Sequence, residues 1–130
     1  MTAMPSHFSK HYTLEEARAL LPRVRQWLDE LGHLQERLKT LDKRVASLIS
    51  AGDDAGGPSV NQLARTLADC KGILQRFRSR EIQIKDLNRG LIDFPSMRDG
   101  REIFLCWEKD EDDIEYWHDL ESGYAGRERI

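Results

Sequence analysis

The side chains of this 130-residue chain that could do chemistry gather in its C-terminal part, where Asp86, Asp93, Glu102, Cys106, His118, Asp119 and Arg127 stand beside apolar residues. A carboxylate set in Leu91-Ile92-Asp93-Phe94-Pro95 is costly to bury unless it is paired. Imidazole with carboxylates is a normal donor set for zinc, iron or manganese. Asp93 and His118, with Glu102 and Asp86 as further candidates, therefore outline a divalent-metal or acid–base site. No Cys-x-x-Cys pair, P-loop or Gly-x-Gly-x-x-Gly string accompanies them, and residues 110–113 lack the Gly and later Glu of a calcium loop, so no cofactor is implied by motif. The plainer alternative is a structural polar network, with Asp93 accepting from turn amides or Arg101 and His118 bonded at a sheet edge. Cys106 beside Trp107 reads as core rather than nucleophile, since His118 is the one base in this half and a third member is missing.

Elements must position these groups, and composition limits what they can be. Hydrophobic residues make up 39% and charged residues 33%, with net charge −3, a balance suited to helices that bury one stripe each. The size fits one domain, 1–130. The longest apolar run, residues 103–107, is far short of the ~20 residues of a membrane span. Residues 1–12 lack the apolar core of a secretory signal, and two cysteines are too few for a disulfide scaffold. A reduced, cytoplasmic protein is expected. Residues 1–81 carry 13 Lys+Arg against 10 Asp+Glu, and residues 82–130 carry 7 against 13. With a pI of 5.8, the chain lacks the basic character of a dedicated nucleic-acid binder. Weak binding through Arg65, Lys71, Arg76, Arg78 and Arg80 is the third-ranked reading, behind a solvated helix face.

Residues 13–80 predict a helical hairpin. Thr13-Leu14-Glu15-Glu16 is a capping box, and Leu20, Val24, Trp27, Leu31, Leu34, Leu38, Leu41, Val45 and Leu48 follow at alternating spacings of four and three, the 3.5-residue period of coiled-coil packing. Pro22 predicts a kink, or a short helix followed by a long one. Residues 51–58, Gly-rich over 52–57, form a tip loop. Ser59-Val60-Asn61-Gln62 repeats the capping-box pattern, and Val60, Leu63, Leu67, Cys70, Leu74 and Phe77 continue the seam. The first helix is the longer, so its beginning must be covered by the C-terminal part of the chain. Residues 1–10 read as a loose tail, with His7 and His11 solvated.

Past Glu81 the period becomes alternating. Four short strands are predicted, within 82–85, 91–94, 101–108 and 114–118, joined by turns of which Asp99-Gly100 is the strongest signal. They give a four-stranded antiparallel meander, followed by a tail, 119–130. The sheet is apolar on both faces. Phe104, Cys106 and Trp117 are assigned to a second face that needs a cover, either the tail or another subunit, and a homodimer or higher homo-oligomer is expected. The loop between the last two strands leaves the face of His118 open. A four-residue loop puts it with Ile103, Leu105 and Trp107; a three-residue loop puts it with Phe104 and Cys106.

Tyr12-Thr13-Leu14-Glu15-Glu16-Ala17, Leu20-Leu21-Pro22, Lys85-Asp86-Leu87, residues 90–95 (GLIDFP), Gly100-Arg101-Glu102, Leu105-Cys106-Trp107, Trp117-His118 and residues 123–127 (GYAGR) resemble a prokaryotic family, domain of unknown function 2203, over nearly the whole chain. The resemblance implies a small, soluble, stand-alone protein and supplies no mechanism. Members often read Gly-Glu at Lys109-Asp110, and Phe is more usual than Tyr124. The fold class expected is α+β, a long two-helix hairpin packed on the meander. The expected function is a self-associating interaction or scaffold protein without catalysis. Its structural seam comprises Leu31, Leu34, Leu38, Leu41, Leu67 and Leu74. The alternative is a metal- or small-ligand-binding protein, or an enzyme, built around Asp93 and His118.

Overall fold

The computed structural model describes residues 6–52 and 57–130. It has two long helices, α1 (Leu14–Ser50) and α2 (Pro58–Ser79), and five strands: β1 (Gln83–Asp86), β2 (Leu91–Arg98), β3 (Arg101–Glu108), β4 (Tyr116–Asp119) and β5 (Glu128–Arg129). The strands form one sheet in the order β1-β2-β3-β4-β5, each antiparallel to its neighbour. The fold is α+β, with five strands rather than four: residues 128–129, read as tail, pair with β4. Two compact units divide the chain. One is Gln26–Arg76; the other comprises the residues up to Arg25 together with Phe77–Ile130. No helix among the described residues is long and apolar enough to cross a membrane.

The α1 start follows the sequence pattern. The Glu16 amide donates to the Thr13 hydroxyl at 3.1 Å, and the Thr13 amide donates to the Glu16 carboxylate at 3.0 Å. The helix runs through Pro22 without dividing in two. Proline removes only the amide that would bond to the Arg18 carbonyl, and Leu21 and Val24 are both buried beside it. The α2 start departs from expectation: Pro58 is the first helical residue, a position where its missing N–H costs nothing, so Ser59 lies inside the helix. The tip at 53–56 lies outside the described residues.

In the Gln26–Arg76 unit, Leu31 and Leu41 are buried and Leu34 and Leu38 half-buried. The second half of the seam is corrected. Leu67 is 49% exposed and Leu74 37%, whereas Thr66 and Ile73 are each 4% exposed. Both phases repeat at three and four residues, and the leucines pointed to the wrong one. Thr66 is tolerated inside because its hydroxyl donates to the Gln62 carbonyl at 2.8 Å. The two phases predict different stabilities. Ile73→Ala will cost about 2–4 kcal/mol, while Leu67→Gln will cost less than about 1 kcal/mol, as read by urea denaturation. Equal losses would restore Leu67 to the seam.

In the other unit, the beginning of α1 is covered by the C-terminal part of the chain. The Arg18 guanidinium donates to the Ile114 carbonyl, and that of Arg25 donates to the carbonyls of Lys109, Glu111 and Asp112. Arg25 also lies 4.8 Å from the Trp107 ring centroid. The sheet turns on two glycines. Asp99 and Gly100 both have positive φ, 52° and 78°, between the paired residues Arg98 and Arg101. This is the two-residue hairpin turn that an Asp-Gly pair favours. At Gly90, φ 66°, a Cβ would fall 2.5 Å from the Lys109 Cβ, so no side chain fits. β2 continues through Pro95, where the sequence suggested a stop. β1 has already ended there, and the Pro95 carbonyl accepts instead from the Tyr12 amide at 2.7 Å. No ladder bond is lost to the missing N–H.

The register corrects the assignment of a second, subunit-seeking face. Leu105 opposes Trp117, and Phe104 opposes His118, so Trp117 lies on the opposite face from Phe104 and Cys106. Phe104 and Cys106 are already buried within one chain. Phe8 packs edge-on against Phe104 at 5.4 Å, and the Lys85 ammonium lies 4.9 Å from the Phe104 centroid. Residues 6–10, expected to be loose, are fastened down, and His11, expected to be solvated, is held with them. The amides of His7 and Phe8 and the rings of His7 and His11 all bond to Glu102, and the Ser9 amide bonds to Glu81. The face assigned to a second subunit is closed in part by this strap.

Candidate functional site

Asp93 is the third residue of β2, with Cys106 opposite it on β3 and His118 on the neighbouring β4. Alternation along each strand sends the three side chains to the same face. Their relative exposures are 1% for Asp93, 0% for Cys106 and 2% for His118. One ligand-type atom from each lies within 4.8 Å of the others. His118 Nδ1 is 2.6 Å from the Asp119 carbonyl. A carbonyl only accepts, so Nδ1 carries the hydrogen. This leaves Nε2 facing Asp93 Oδ2 at 2.9 Å. Two lone pairs cannot meet at that distance without a positive centre between them, either a proton or a metal ion.

The titration of His118 reflects this pairing. Burial is the largest influence and works against the imidazolium. The hydrogen bonds to Asp93 and to the Asp119 carbonyl, with the charge of Asp93, outweigh both burial and the opposing charge of Lys85, and the net shift is upward. Burial pushes the Cys106 thiol up to about 12, with Asp93 reinforcing the shift and Arg127 opposing it. A thiol so placed is no nucleophile at neutral pH. Asp93 Oδ1 is buried without a hydrogen-bond partner among the described residues, an arrangement that costs about 1–3 kcal/mol in a native protein.

Of the four residues singled out from sequence, the fold joins Asp93 and His118 and leaves Glu102 and Asp86 elsewhere. Glu102 holds the N-terminal strap, and His11, the His7 and Phe8 amides and the His7 ring depress its carboxyl to about 2. Asp86 accepts from the Arg89 amide and closes the β1–β2 turn. Arg101, a proposed partner for Asp93, instead faces Asp119 at 3.9 Å. Cys106 takes the third place, and its signal was in the sequence. Five residues back along each strand from the Arg98–Arg101 pair at the Asp-Gly turn, Asp93 meets Cys106. Local ligand spacing is no guide. His7-x-x-x-His11, Glu30-x-x-His33 and Glu115-x-x-His118 all occur, yet His7 and His11 serve Glu102, Glu30 pairs with Arg76, and Glu115 with Arg129.

The tail completes the surroundings. Arg127 makes a two-pronged ion pair with Glu111, both contacts 3.0 Å, and its guanidinium lies 3.9 Å from the Tyr116 centroid and 4.3 Å from that of Tyr124. The family description "Uncharacterized conserved protein (DUF2203)" matches residues 10–130, a span that takes in every strand and the whole Asp93–Cys106–His118 group. The chain belongs to the DUF2203 family. No curated protein and no solved structure matches it.

Proposed function

We propose that this protein binds one divalent cation of the zinc type through Asp93, Cys106 and His118. The observation that carries the reading is the buried Asp93 Oδ1 with no hydrogen-bond partner among the described residues, placed among a thiol and an imidazole nitrogen of matching ligand chemistry. Charge supports it. A carboxylate, a thiolate and a neutral imidazole balance a 2+ ion, so the occupied site is neutral, as a buried site must be. The metal itself would draw off the thiol proton. The bond from Nδ1 to the Asp119 carbonyl fixes the tautomer that presents Nε2, the outer-shell support typical of metal-ligating histidine. Ligand atoms around one zinc lie roughly 3–4 Å apart, so the 2.9 Å Asp93–His118 contact needs only a small opening. Three protein ligands leave a fourth position for water or a substrate.

Cobalt titration tests the proposal. The full chain stripped with chelator will take up one Co²⁺ per chain, with a thiolate-to-cobalt charge-transfer band in the near ultraviolet. Cys106→Ser will remove the band, and His118→Gln will weaken binding at least about tenfold. Binding displaces a thiol proton and, where His118 is charged, an imidazolium proton. Affinity will therefore rise by about 10- to 100-fold per pH unit through neutrality. Uptake without the band, or a band that survives Cys106→Ser, would overturn the assignment.

Self-association is a second reading, favoured by Val60, Leu67 and Leu74, which stand seven residues apart on α2 and are all exposed. A concentration-dependent mass in light scattering, abolished by Leu67→Asp, would support it. A monomer at all concentrations would dismiss it.

A further inference from the structure

We infer that the sheet face opposite the Asp93 group carries a second site, for a small apolar carboxylate. A cavity of about 430 Å³ opens there, within the size range of small-molecule sites. Ile103 and Leu105 form its buried floor, and Leu14, Trp117 and Ile130 its apolar walls. The polar groups around the cavity are mostly committed. The Thr13 hydroxyl accepts from the Glu16 amide, the Ser96 hydroxyl donates to the Tyr12 carbonyl, and His11 is bonded to Glu102.

Arg98 is the exception. Its guanidinium lies 4.7 Å from the Trp117 centroid, and among the described residues no carboxylate stands within ion-pair distance of it. A guanidinium lying over an indole still has N–H groups to offer a planar acceptor, and the acceptor it matches in two-pronged fashion is a carboxylate. One cation at the rim of an otherwise apolar hollow selects a molecule with an apolar body and a single anionic end. An alkyl or aryl carboxylate has that shape; a sugar or a nucleotide would leave buried polar groups unpaired. The inference is independent of the metal reading, because none of these residues belongs to the Asp93 group.

Sodium octanoate and 1-octanol serve as probes, titrated into the full chain with binding read by calorimetry and by indole fluorescence. Octanoate will bind saturably, one per chain, and at least about tenfold more tightly than octanol, the difference expected of a charged hydrogen bond. Arg98→Gln will erase that preference while leaving thermal stability and cobalt uptake unchanged, since Arg98 is exposed. Trp117→Phe will remove the fluorescence response. Equal affinity for the two probes, no saturable binding below about 5 mM, or full octanoate binding by Arg98→Gln would each overturn the proposal.

Discussion

His118→Leu will lower the folding stability of the metal-free protein by about 3–5 kcal/mol, the loss typical of a buried ion pair stripped of one partner. The imidazole is 2% exposed and supplies the only hydrogen bond to Asp93 Oδ2 among the described residues. Without it, the carboxylate loses its facing imidazolium and the donor to Oδ2, in a buried site. The cost therefore falls mainly on Asp93. Asp93→Asn in the His118→Leu background will recover a large part of the loss, with a coupling of about 1.5 kcal/mol or more in the double-mutant cycle. The pH dependence has a definite sign. The folded state raises the pKa of His118, so the stability it contributes is fully present below its unfolded value, about 6.5. That stability is lost as pH rises through the folded value. Wild type and His118→Leu should converge on the alkaline side when urea midpoints are compared in chelator. Zinc reverses the trend, because the ion replaces the proton and is held more tightly as pH rises. A stability difference independent of pH would mean that His118 is neutral when folded.

Trp107→Ala will cost about 3–5 kcal/mol and lower the melting temperature by roughly 10–20 °C. The indole is fully buried, its Nε1 donates to the Glu111 carbonyl at 3.0 Å, and the Arg25 guanidinium lies against its ring. These contacts join β3, the loop after it and the first turns of α1. Truncation opens a cavity and removes the surface on which Arg25 rests. Glu111 is affected as well. Its side chain accepts from the Glu108 amide and pairs with Arg127, so a shifted loop would loosen the tail. Trp107→Phe retains most of the buried area and loses one hydrogen bond, at about 1–2 kcal/mol. Differential scanning calorimetry separates the two variants. A loss below about 1 kcal/mol for Trp107→Ala would show that the core closes over the gap.

Much of the fold was legible because the signals were local. Thr13-x-x-Glu16 closes its capping box within one turn of chain. Leu31 and Leu41 repeat at helical spacing and are buried. Asp99-Gly100 makes a two-residue turn since both positions need positive φ. The errors came where two local patterns were equally good. On α2 the leucine phase and the Thr66–Ile73 phase have the same period, and only the packing of α1 against α2 selects between them. At Pro95 the sequence suggested a strand end, because nothing local reveals that β1 stops before it.

The candidate site divides along the same line. Sequence by itself determined the chemistry available, a buried-type carboxylate at Asp93 and one imidazole in the C-terminal half at His118, along with the hairpin turn whose register sets Cys106 opposite Asp93. Tertiary structure decided which groups meet. Whether His118 joins Phe104 and Cys106 or the opposite face depends on the parity of a loop whose length the residues alone do not fix. The capture of Glu102 by His7 and His11 depends on a contact between residues more than ninety positions apart. The physical reason is range. Caps, turns and periodicity act over a few residues through backbone geometry. A buried polar cluster is assembled by strand pairing and by the free energy of excluding water from side chains distant along the chain.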